Sequence, residues 1–350
     1  MPTLIEIPGR KIGADSPCFV IAEAGVNHNG ELDLAKRLVE EAAKAGADAV
    51  KFQTWITEKL LTPEAELAEY QRRNISREIS QFEMLKQLEL SQSAFREIKL
   101  HAERHSILFF STPDEEDSAD FLDQLGVAIF KIGSGEVTNL PYLRHVARKG
   151  RPIILSTGMS SLGEVEAAVR AIEETGNRQL CLLHCVSDYP ADPADCNLRA
   201  METLSAAFGY PVGFSDHTLG FDIAIAAVAR GACVIEKHFT LSKDMEGPDH
   251  KASLDISELA RMVRSIRIVE RSLGDGKKKL LASELRTREL VQKRIVAARH
   301  LTQGETISEC DVLLLRAGSG VDASSLPLVI GRVTRCSIPV HAGIEWVMLS

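Results

Sequence analysis

Eight short apolar runs alternate with amphipathic stretches before residue 240 of this chain. Such runs are typical of buried β-strands, and most of the stretches between them have the spacing of helices that bury one face. The runs are Cys18–Glu23, Ala47–Phe52, Ile107–Ser111, Ala128–Ile132, Ile153–Ser156, Leu180–Cys185, Val212–Phe214 and Cys233–Glu236. Eight strand–helix repeats in this length predict a (β/α)₈ TIM barrel rather than an open doubly wound sheet.

Glycines follow several of the helical stretches, where a helix usually stops. The predicted helices include Leu32–Ala45 before Gly46, Ser93–Glu103, Leu162–Glu174 before Gly176, and Phe221–Ala229 before Gly231. The segment from Ile56 to Leu90 is longer than a strand–helix crossover needs and is rich in Glu, Gln and Arg. We interpret it as a helical lid or a dimerisation element.

The chain changes character after a last predicted barrel helix, Ile256–Leu273. A Gly- and Lys-rich segment follows, and then short β-like runs at Ile295–Ala298, Val312–Leu315 and Val329–Ile338, which Gly-containing turns separate. We therefore predict a barrel domain over residues 1–273, a linker over 274–287 and a small β-rich domain over 288–350.

Composition restricts the partners and the compartment. The chain is 45% hydrophobic and carries a formal net charge of −8, which argues against a general nucleic-acid partner. Its seven cysteines include no C-x-x-C pair, so we expect a reducing compartment. The sequence shows neither an export signal nor an apolar run of membrane length, and we expect a cytoplasmic protein with no membrane partner.

Polar residues end or follow nearly every predicted strand. The carboxyl ends of barrel strands meet at one mouth, so these side chains should face a common cavity. They are Glu23, Asn27, His28, Lys51, Gln53, Thr112, Lys131, Ser134, Ser156, Thr157, His184, Ser187, Ser215, Asp216, His217, Glu236 and His238. Since buried polar groups each need a partner, the cavity should be built for a polar, charged substrate.

Two histidines, His217 and His238, follow consecutive predicted strands and can share one divalent metal. The alternative is that each is a core histidine bonded to a backbone carbonyl. Glu23 ends an otherwise apolar strand, which suggests a catalytic or metal-linked carboxylate. Its alternative interpretation is an ion pair with Lys51.

Lysines and hydroxyls at the mouth suit a phosphate group, which has several acceptor oxygens and about two negative charges. The set consists of Lys51, Lys131, Thr112, Ser134, Ser156 and Ser215. A lysine in such a site can instead form a Schiff base with a carbonyl substrate. No nucleotide-binding glycine motif follows any strand, which weakens a nucleotide as the ligand.

Seven ordered segments of the chain resemble the sialic acid synthase family. They are Ile21 to Gly30, Lys51 to Thr54, Lys131 to Glu136, Leu155 to Ser160, Leu183 to Cys185, Gly213 to Thr218 and Glu236 to Thr240. The resemblance implies a metal-dependent barrel that joins phosphoenolpyruvate to an N-acylated hexosamine. It also implies that the β-rich tail is an antifreeze-like domain of the SAF, or β-clip, type.

The resemblance also implies roles for single residues. Glu23, His217 and His238 would be catalytic, and the two histidines would bind manganese, with cobalt and magnesium as other candidates. The residues that would hold phosphoenolpyruvate are Lys51, Thr112, Lys131, Ser134, Ser156, Ser187 and Ser215. Those that would contact the sugar are Gln53, Asn74, Tyr189, Asp249 and Arg316.

The family pattern further implies a domain-swapped homodimer, in which Arg316 of one protomer reaches the sugar site of its partner. The first expected activity is that of an N-acetylneuraminate synthase. The alternative is an N,N'-diacetyllegionaminate synthase that uses a 2,4-diacetamido trideoxyhexose, and a more distant one is a Schiff-base aldolase. Ser187 and Asp188 stand where many neuraminate-forming members carry Asn and an apolar residue, which leaves the hexosamine open.

Overall fold

A computed structural model describes residues 4–13, 16–74 and 79–350, without the side chains of Tyr70 and Arg73. An antiparallel hairpin, β1 (Ile5–Ile7) and β2 (Arg10–Ile12), precedes an eight-stranded parallel sheet. The strands of this sheet are β3 (Phe19–Gly25), β4 (Ala49–Thr54), β5 (Leu108–Pro113), β6 (Phe130–Ile132), β7 (Ile153–Ser156), β8 (Leu180–Cys185), β9 (Val212–Asp216) and β10 (Val234–His238). Their order, β5-β4-β3-β10-β9-β8-β7-β6, curls into a nearly closed barrel in which β5 and β6 are also in contact. The predicted barrel fold is confirmed.

Helices follow the strands and cover the barrel. They are α1 (Leu32–Ala45), α2 (Thr57–Leu60), α3 (Glu69–Asn74), α4 (Gln81–Leu88), α5 (Gln92–Arg104), α6 (Glu116–Leu125), α7 (Leu140–Ala147), α8 (Leu162–Glu173), α9 (Ala200–Phe208), α10 (Asp222–Ala229) and α11 (Ile256–Leu273). Aliphatic and aromatic residues from these helices and from the strands form one continuous buried core. The insertion that we interpreted as a lid or dimerisation element contains α2, α3 and α4, and its residues 75–78 lie outside the described part.

The strands end later than the apolar runs that predicted them. Five of the eight extend two residues further toward the mouth; β9, for example, continues through Ser215 and Asp216. Hydrophobicity marks only the part of a strand that packs in the apolar core, whereas the polar end keeps the backbone ladder and gives its side chains to the cavity. Several predicted site residues therefore lie on rigid strands and not on loops.

A local irregularity ends strand β3. Glu23 pairs with Lys51 and Gly25 pairs with Phe52, so Ala24 is the extra residue of a bulge. Gly25 has a φ of 50°, and a Cβ there would lie 3.2 Å from Glu23 Oε1 and 3.4 Å from the His238 ring. Glycine therefore gives the turn its left-handed conformation and leaves room for these two side chains.

Residues Asp275–Ser350 form a second compact unit, separate from Met1–Gly274. This unit contains helix α12 (Leu285–Val291), the antiparallel pair β11 (Lys293–Ala297) and β12 (Val312–Arg316), and the short helix α13 (Leu326–Val329). It has its own core, centred on Ile295, Leu301 and Ile344. Helix α12 crosses residue 288, where we predicted the linker to end, and the domain boundaries and the antifreeze-like assignment stay predictions.

The strand predicted over Val329–Ile338 is wrong. Helix α13 takes Val329, and among the described residues this segment makes only isolated bridges, such as Leu301 with Ile338. Pro327 in the first turn of α13 favours the helix, and Gly331, with a φ of 83°, interrupts an extended run. Apolar content alone predicted a strand because it does not detect such breaks.

All seven cysteines are free thiols. Five of them are buried, as expected of small core residues. Among the helices of the described residues, none combines the length and the apolar character that a membrane span requires.

Candidate active site

A cavity of about 350 Å³ lies at the carboxyl ends of the barrel strands. Twelve of the fifteen predicted site residues line it, namely Glu23, Lys51, Gln53, Thr112, Lys131, Ser134, Ser156, Ser187, Tyr189, Ser215, His217 and His238. The structure therefore brings together the predicted metal ligands, the predicted catalytic carboxylate and the predicted phosphate-binding set. Asn27, His28, Thr157, His184 and Asp216, also expected at the mouth, are not among its described lining residues.

Strand register explains why these side chains converge. Glu23 on β3 pairs with Lys51 on β4 and with His238 on β10, so three functional groups lie in one row across neighbouring strands. A second row contains Ser215 on β9 and Glu236 on β10. Since strands lie about 4.8 Å apart and alternate residues face the same side, backbone spacing sets the spacing of the site.

The two lysines of the cavity are each only 3% exposed and are paired with carboxylates. Lys51 Nζ lies 2.8 Å from Glu23 Oε2 and donates a hydrogen bond of 2.9 Å to Thr112 Oγ1. Lys131 Nζ donates to Ser156 Oγ at 2.7 Å and lies 3.6 Å from Glu236 Oε1. Glu23 and Lys51 therefore form the ion pair that was the alternative interpretation of Glu23. An ion pair with a lysine is compatible with a catalytic role for Glu23, which stays a prediction.

Burial moves the pKa values of these groups in ways that matter for chemistry. It raises the pKa of Glu23 to about 7, although Lys51 opposes the shift. Burial lowers the pKa of Lys131, with Glu236 opposing. For Lys51, burial also lowers the pKa, but Glu23 and Glu236 together outweigh it and the net shift is upward. Lys51 is therefore an ammonium group near neutral pH, which suits an anion clamp better than an amine nucleophile.

Glu236 behaves in the opposite way to Glu23. Burial would raise its pKa, but Lys131 and Lys51 together with a hydrogen bond of 3.0 Å from Ser215 Oγ make the net shift downward. Two carboxyl groups with pKa values shifted in opposite directions are a frequent arrangement in acid–base sites. Of this pair, Glu236 is a carboxylate near neutral pH, whereas Glu23 changes its charge there.

The predicted metal ligands lie next to each other, with 5.6 Å between the ring centroids of His217 and His238 and 52° between the ring planes. His217 Nδ1 is 2.7 Å from the carbonyl oxygen of Val186, which fixes the proton on Nδ1 and leaves the Nε2 lone pair free. Burial lowers the pKa of His217 to about 4, and burial and His217 lower that of His238 well below its usual value. Both rings are therefore neutral at pH 7, which is the ligand form.

An unsatisfied atom supports the fit of a metal at this pair. His238 Nδ1 is buried and has no hydrogen-bond partner within the described part of the chain. It lies 3.9 Å from Asp249 Oδ2. A buried ring nitrogen without a partner costs free energy, and a divalent cation would supply the missing interaction. The residues present therefore fit an imidazole-bound divalent metal.

Three predicted sugar contacts do not line the cavity. Asn74 at the end of α3 donates a hydrogen bond of 2.7 Å to the carbonyl oxygen of Pro248, beside Asp249. Asp249 is buried behind His238, and burial raises its pKa to about 6. Arg316 is exposed at the end of β12 in the second unit. The sugar-binding roles of these residues stay predictions.

Glu236 and Asp114 line the cavity, although sequence analysis assigned neither of them a catalytic, metal-binding or substrate-binding role. Glu236 is two residues before His238, and Asp114 is two residues after Thr112. Sequence analysis placed Glu236 at the mouth but omitted Asp114. Strand alternation from Thr112 would have found Asp114, since residues at this spacing on a strand face the same side. Burial raises the pKa of Asp114 to about 7, against the attraction of Lys51.

Gly158 allows close packing beside the predicted phosphate site. Its amide donates a hydrogen bond of 2.9 Å to Ser134 Oγ. A Cβ at this position would lie 2.4 Å from Ser187 Oγ and 2.9 Å from Cys185 Sγ. Any larger residue would displace hydroxyls of the cavity, so glycine is needed here for contact and not for backbone conformation.

A family model described as the NeuB family matches residues 38–278, which is more than half of the chain. The chain belongs to the NeuB family. This confirms the resemblance to sialic acid synthases and the prediction that the chain is an enzyme of this synthase class. The matched part of this NeuB family member contains most of the barrel strands and both predicted metal ligands.

Three known proteins are similar to this NeuB family member over most of its length. The N,N'-diacetyllegionaminic acid synthase of Legionella pneumophila is 49% identical over 95% of this chain and 94% of its own length. The N,N'-diacetyllegionaminic acid synthase of Campylobacter jejuni is 46% identical over 90% of this chain and 95% of its own length. The crystal structure of an N-acetylneuraminic acid (sialic acid) synthetase from Leptospira borgpetersenii matches this chain with a TM-score of 0.73. The match has 36% sequence identity and covers 83% of this chain and 98% of the synthetase chain.

Proposed function

We propose that this chain is an N,N'-diacetyllegionaminate synthase. It would condense phosphoenolpyruvate and water with a 2,4-diacetamido trideoxyhexose and release phosphate. The observation that carries the proposal is the identity of 46–49%, over nearly the whole chain, to two proteins of that name. The neuraminate synthetase is more distant, at 36% identity, so the relatives favour the alternative acceptor over the N-acetylmannosamine that sequence analysis put first.

The donor half of the proposal depends on the lysine and hydroxyl groups of the cavity. Lys51, Lys131 and Ser156 would hold the phosphate, which would replace the carboxylates as partners of the two ammonium groups. Asp114, whose pKa is raised to about 7, can take up a proton when this anion enters. The cavity can therefore accept a highly charged donor although it contains three carboxyl groups.

The acceptor half depends on the residues near the mouth. Ala68 and Met159 give the otherwise polar cavity some apolar surface, and the Met159 side chain is 75% exposed. A second acetamido group and a deoxygenated C6 present methyl groups that such a surface can contact. Ser187 stands in place of the Asn of many neuraminate-forming relatives, and its shorter side chain would take less space in the cavity that Tyr189 also lines.

The residues of the chain support the following sequence of bond changes. The methylene carbon of phosphoenolpyruvate bonds to the aldehyde carbon of the open-chain sugar, and positive charge develops at the carbon that bears the phosphate. The Glu23 carboxylate stabilises this charge, directs a water molecule to that carbon and accepts the proton that the water loses. The aldehyde C=O π bond opens as the C–C bond forms, and its oxygen gains a proton to become a hydroxyl group. The bridging C–O bond then breaks, phosphate leaves with the bridging oxygen, and Lys51 and Lys131 stabilise it.

When bound at His217 and His238, a divalent metal would act as a Lewis acid toward the aldehyde oxygen. We propose manganese, with cobalt and magnesium as the other candidates. We also propose that Arg316 acts on the acyl group of the sugar in the partner's barrel, in a domain-swapped homodimer. These two proposals come from the family resemblance.

The test is phosphate release from phosphoenolpyruvate with manganese, measured with the 2,4-diacetamido trideoxyhexose, N-acetylmannosamine and N-acetylmannosamine 6-phosphate. We expect kcat/KM for the first sugar to exceed the others by at least about tenfold, the effect of one misplaced group in a specific pocket. EDTA should abolish turnover, and manganese should restore it. A preference for N-acetylmannosamine would identify a neuraminate synthase instead.

The Schiff-base aldolase is the second candidate, because the lowered pKa of Lys131 is what an amine nucleophile needs. An aldolase would use pyruvate and would release no phosphate. Phosphate release from phosphoenolpyruvate therefore separates the two reactions, and ¹⁸O in the bridging position of phosphoenolpyruvate shows whether its C–O bond is the one that breaks. We expect the label in the released phosphate, together with no trapping by borohydride; a trapped lysine adduct would support the aldolase.

A further inference from the structure

Three potential metal ligands meet on the outer helical layer of the barrel. Glu40 lies on α1 and His101 lies in the last turn of α5. His105, four residues after His101, directly follows the last residue of that helix. One ligand atom from each residue lies within 4.8 Å of the other two. Glu40 Oε1 is 3.1 Å from His101 Nε2, and the two imidazole centroids are 4.7 Å apart.

This cluster lies at the opposite end of the barrel from the cavity. Helix α1 leads through Gly46 into the start of β4, and α5 leads into the start of β5. The carboxyl-terminal halves of both helices are therefore beside the amino ends of the strands, whereas the cavity is at the carboxyl ends. The cluster cannot be part of the proposed catalytic metal site.

The surroundings of the cluster suit a cation. Residues at the carboxyl end of a helix face the negative end of its dipole, and both histidines are there. Lys44 competes only weakly, because its Nζ is 2.7 Å from Glu41 and 4.0 Å from Glu40 Oε2, so Glu40 Oε1 remains directed at His101. Glu40 and His101 are partly buried and His105 is exposed, which gives ions access.

The donor set indicates which ion it would take. Two imidazoles and one carboxylate are preferred by zinc, nickel, cobalt and copper, whereas magnesium and calcium prefer oxygen ligands only. Residues four apart at a helix end have side chains on one face, so both imidazoles can reach one ion while Glu40 reaches it from the neighbouring helix. A fourth position would remain for water.

We propose that Glu40, His101 and His105 form a second metal site, for a divalent ion of the zinc class, that ties α1 to α5. Its role is structural, since it joins two helices at the end of the barrel that does no chemistry. Because it uses no residue of the cavity, this inference does not depend on the proposed function.

The experiment measures zinc binding to the full-length chain after removal of metal, by equilibrium dialysis. Wild-type protein should bind one equivalent more than His101→Gln/His105→Gln. The matched control is His145→Gln, which removes a partly buried histidine that lies 2.7 Å from Asp120. The control should keep the wild-type stoichiometry.

A second variant, Glu40→Gln, keeps both imidazoles and should weaken zinc binding at this site by at least about tenfold. In thermal unfolding, zinc should raise the Tm of the wild-type protein more than that of the double histidine variant, because a ligand stabilises only the state that binds it. Equal stoichiometry in the wild type and the double variant, or equal loss in His145→Gln, would overturn the proposal.

Discussion

Glu23 and Glu236 show how strongly position determines the chemistry of identical side chains. Both are buried on neighbouring strands of the barrel, yet the pKa of Glu23 is raised to about 7 and that of Glu236 is lowered. The difference arises because Glu236 interacts with two lysines and a serine hydroxyl, whereas burial dominates at Glu23. The sequence identified Glu23 as unusual but gave no information on the direction of either shift.

We expect Glu23→Gln to lower kcat by about 100-fold or more, since the amide cannot stabilise a developing positive charge as a carboxylate does. The KM for phosphoenolpyruvate should not rise, because Lys51 loses a competing partner. Steady-state kinetics with saturating sugar measure both constants. Glu41→Gln, on the outer layer, is the control and should retain wild-type rates; a Glu23 variant that does the same would remove this residue from the mechanism.

The raised pKa of Glu23 also predicts a pH-dependent stability. A group whose pKa is higher in the folded protein stabilises it below the unfolded pKa and loses that contribution as the pH rises through the folded value. Glutamine resembles the protonated acid, so near pH 5, just above the unfolded pKa of 4.5, the free energies of unfolding of wild type and Glu23→Gln should agree to within about 1 kcal/mol. By pH 8.5 the free energy of unfolding of the wild type should be lower by on the order of 3 kcal/mol.

Urea unfolding of the metal-free proteins at the two pH values measures this difference. Glu236→Gln is the control. The pKa of the Glu236 carboxyl group is lowered in the folded protein, so its contribution to the free energy of unfolding is present above the usual pKa of 4.5. The difference between wild type and Glu236→Gln should therefore be the same at pH 5 and pH 8.5. A difference between wild type and Glu23→Gln that does not change with pH would show that the Glu23 carboxyl group does not titrate in this range.

At the scale of elements, the barrel strands could be predicted from sequence because apolar periodicity marks buried strands directly. The polar ends of the strands could not be predicted in this way. Where a strand reaches the cavity its side chains become polar, although its backbone remains extended and hydrogen-bonded in the sheet. The loops were least predictable: Asn74 contacts the loop that contains Asp249, neither residue lines the cavity, and no periodicity reveals such a contact. The family resemblance placed them near the sugar, which the geometry leaves untested.

The ends of β9 and β10 are joined by a fully buried ion pair that neither periodicity nor resemblance predicted. Lys237 Nζ lies 2.9 Å from Asp216 Oδ2, and Thr218 donates its amide and hydroxyl to Asp216 Oδ1. Each charged residue immediately precedes a predicted metal ligand, His217 or His238. The pair thus fixes the strand ends that carry the two imidazoles.

Lys237→Met should therefore lower the free energy of unfolding by about 3–5 kcal/mol, because it leaves a buried carboxylate without its partner. The matched control is Lys243→Met, which removes a partly exposed ion pair with Glu258 and should cost less than about 1 kcal/mol. Urea unfolding of both variants provides the comparison. Equal effects would mean that the buried pair adds no more than an ordinary surface pair.

At the scale of the whole molecule, the sequence predicted the barrel and a change of character after residue 273, and the chain indeed divides into two compact units. The sequence could not determine how copies of the chain assemble. Assembly depends on surface residues, and their sequence pattern is the same in a contact surface as in any other polar surface. The domain-swapped homodimer therefore rests on family resemblance, and its decisive residue is Arg316.

Co-expression of Glu23→Gln with Arg316→Ala tests this assembly. If Arg316 acts in the partner's barrel, each mixed dimer contains one intact site, and random pairing makes half of the dimers mixed. Total activity should then reach about a quarter of the wild-type value, although each variant alone is nearly inactive. An arginine that acts within its own chain would give no recovery, and Arg335→Ala, in the same unit, should leave the wild-type activity unchanged.

The division between strands and loops in the cavity has a consequence for how the enzyme can evolve. The proposed donor site is built largely on strands, with Lys51, Thr112, Lys131, Ser156 and Ser215 inside β4, β5, β6, β7 and β9. Most predicted acceptor contacts lie outside the barrel strands, as Tyr189 and Asp249 do. Mutations in loops disturb folding least, so a lineage can exchange one sugar for another while its inherited phosphoenolpyruvate chemistry stays intact.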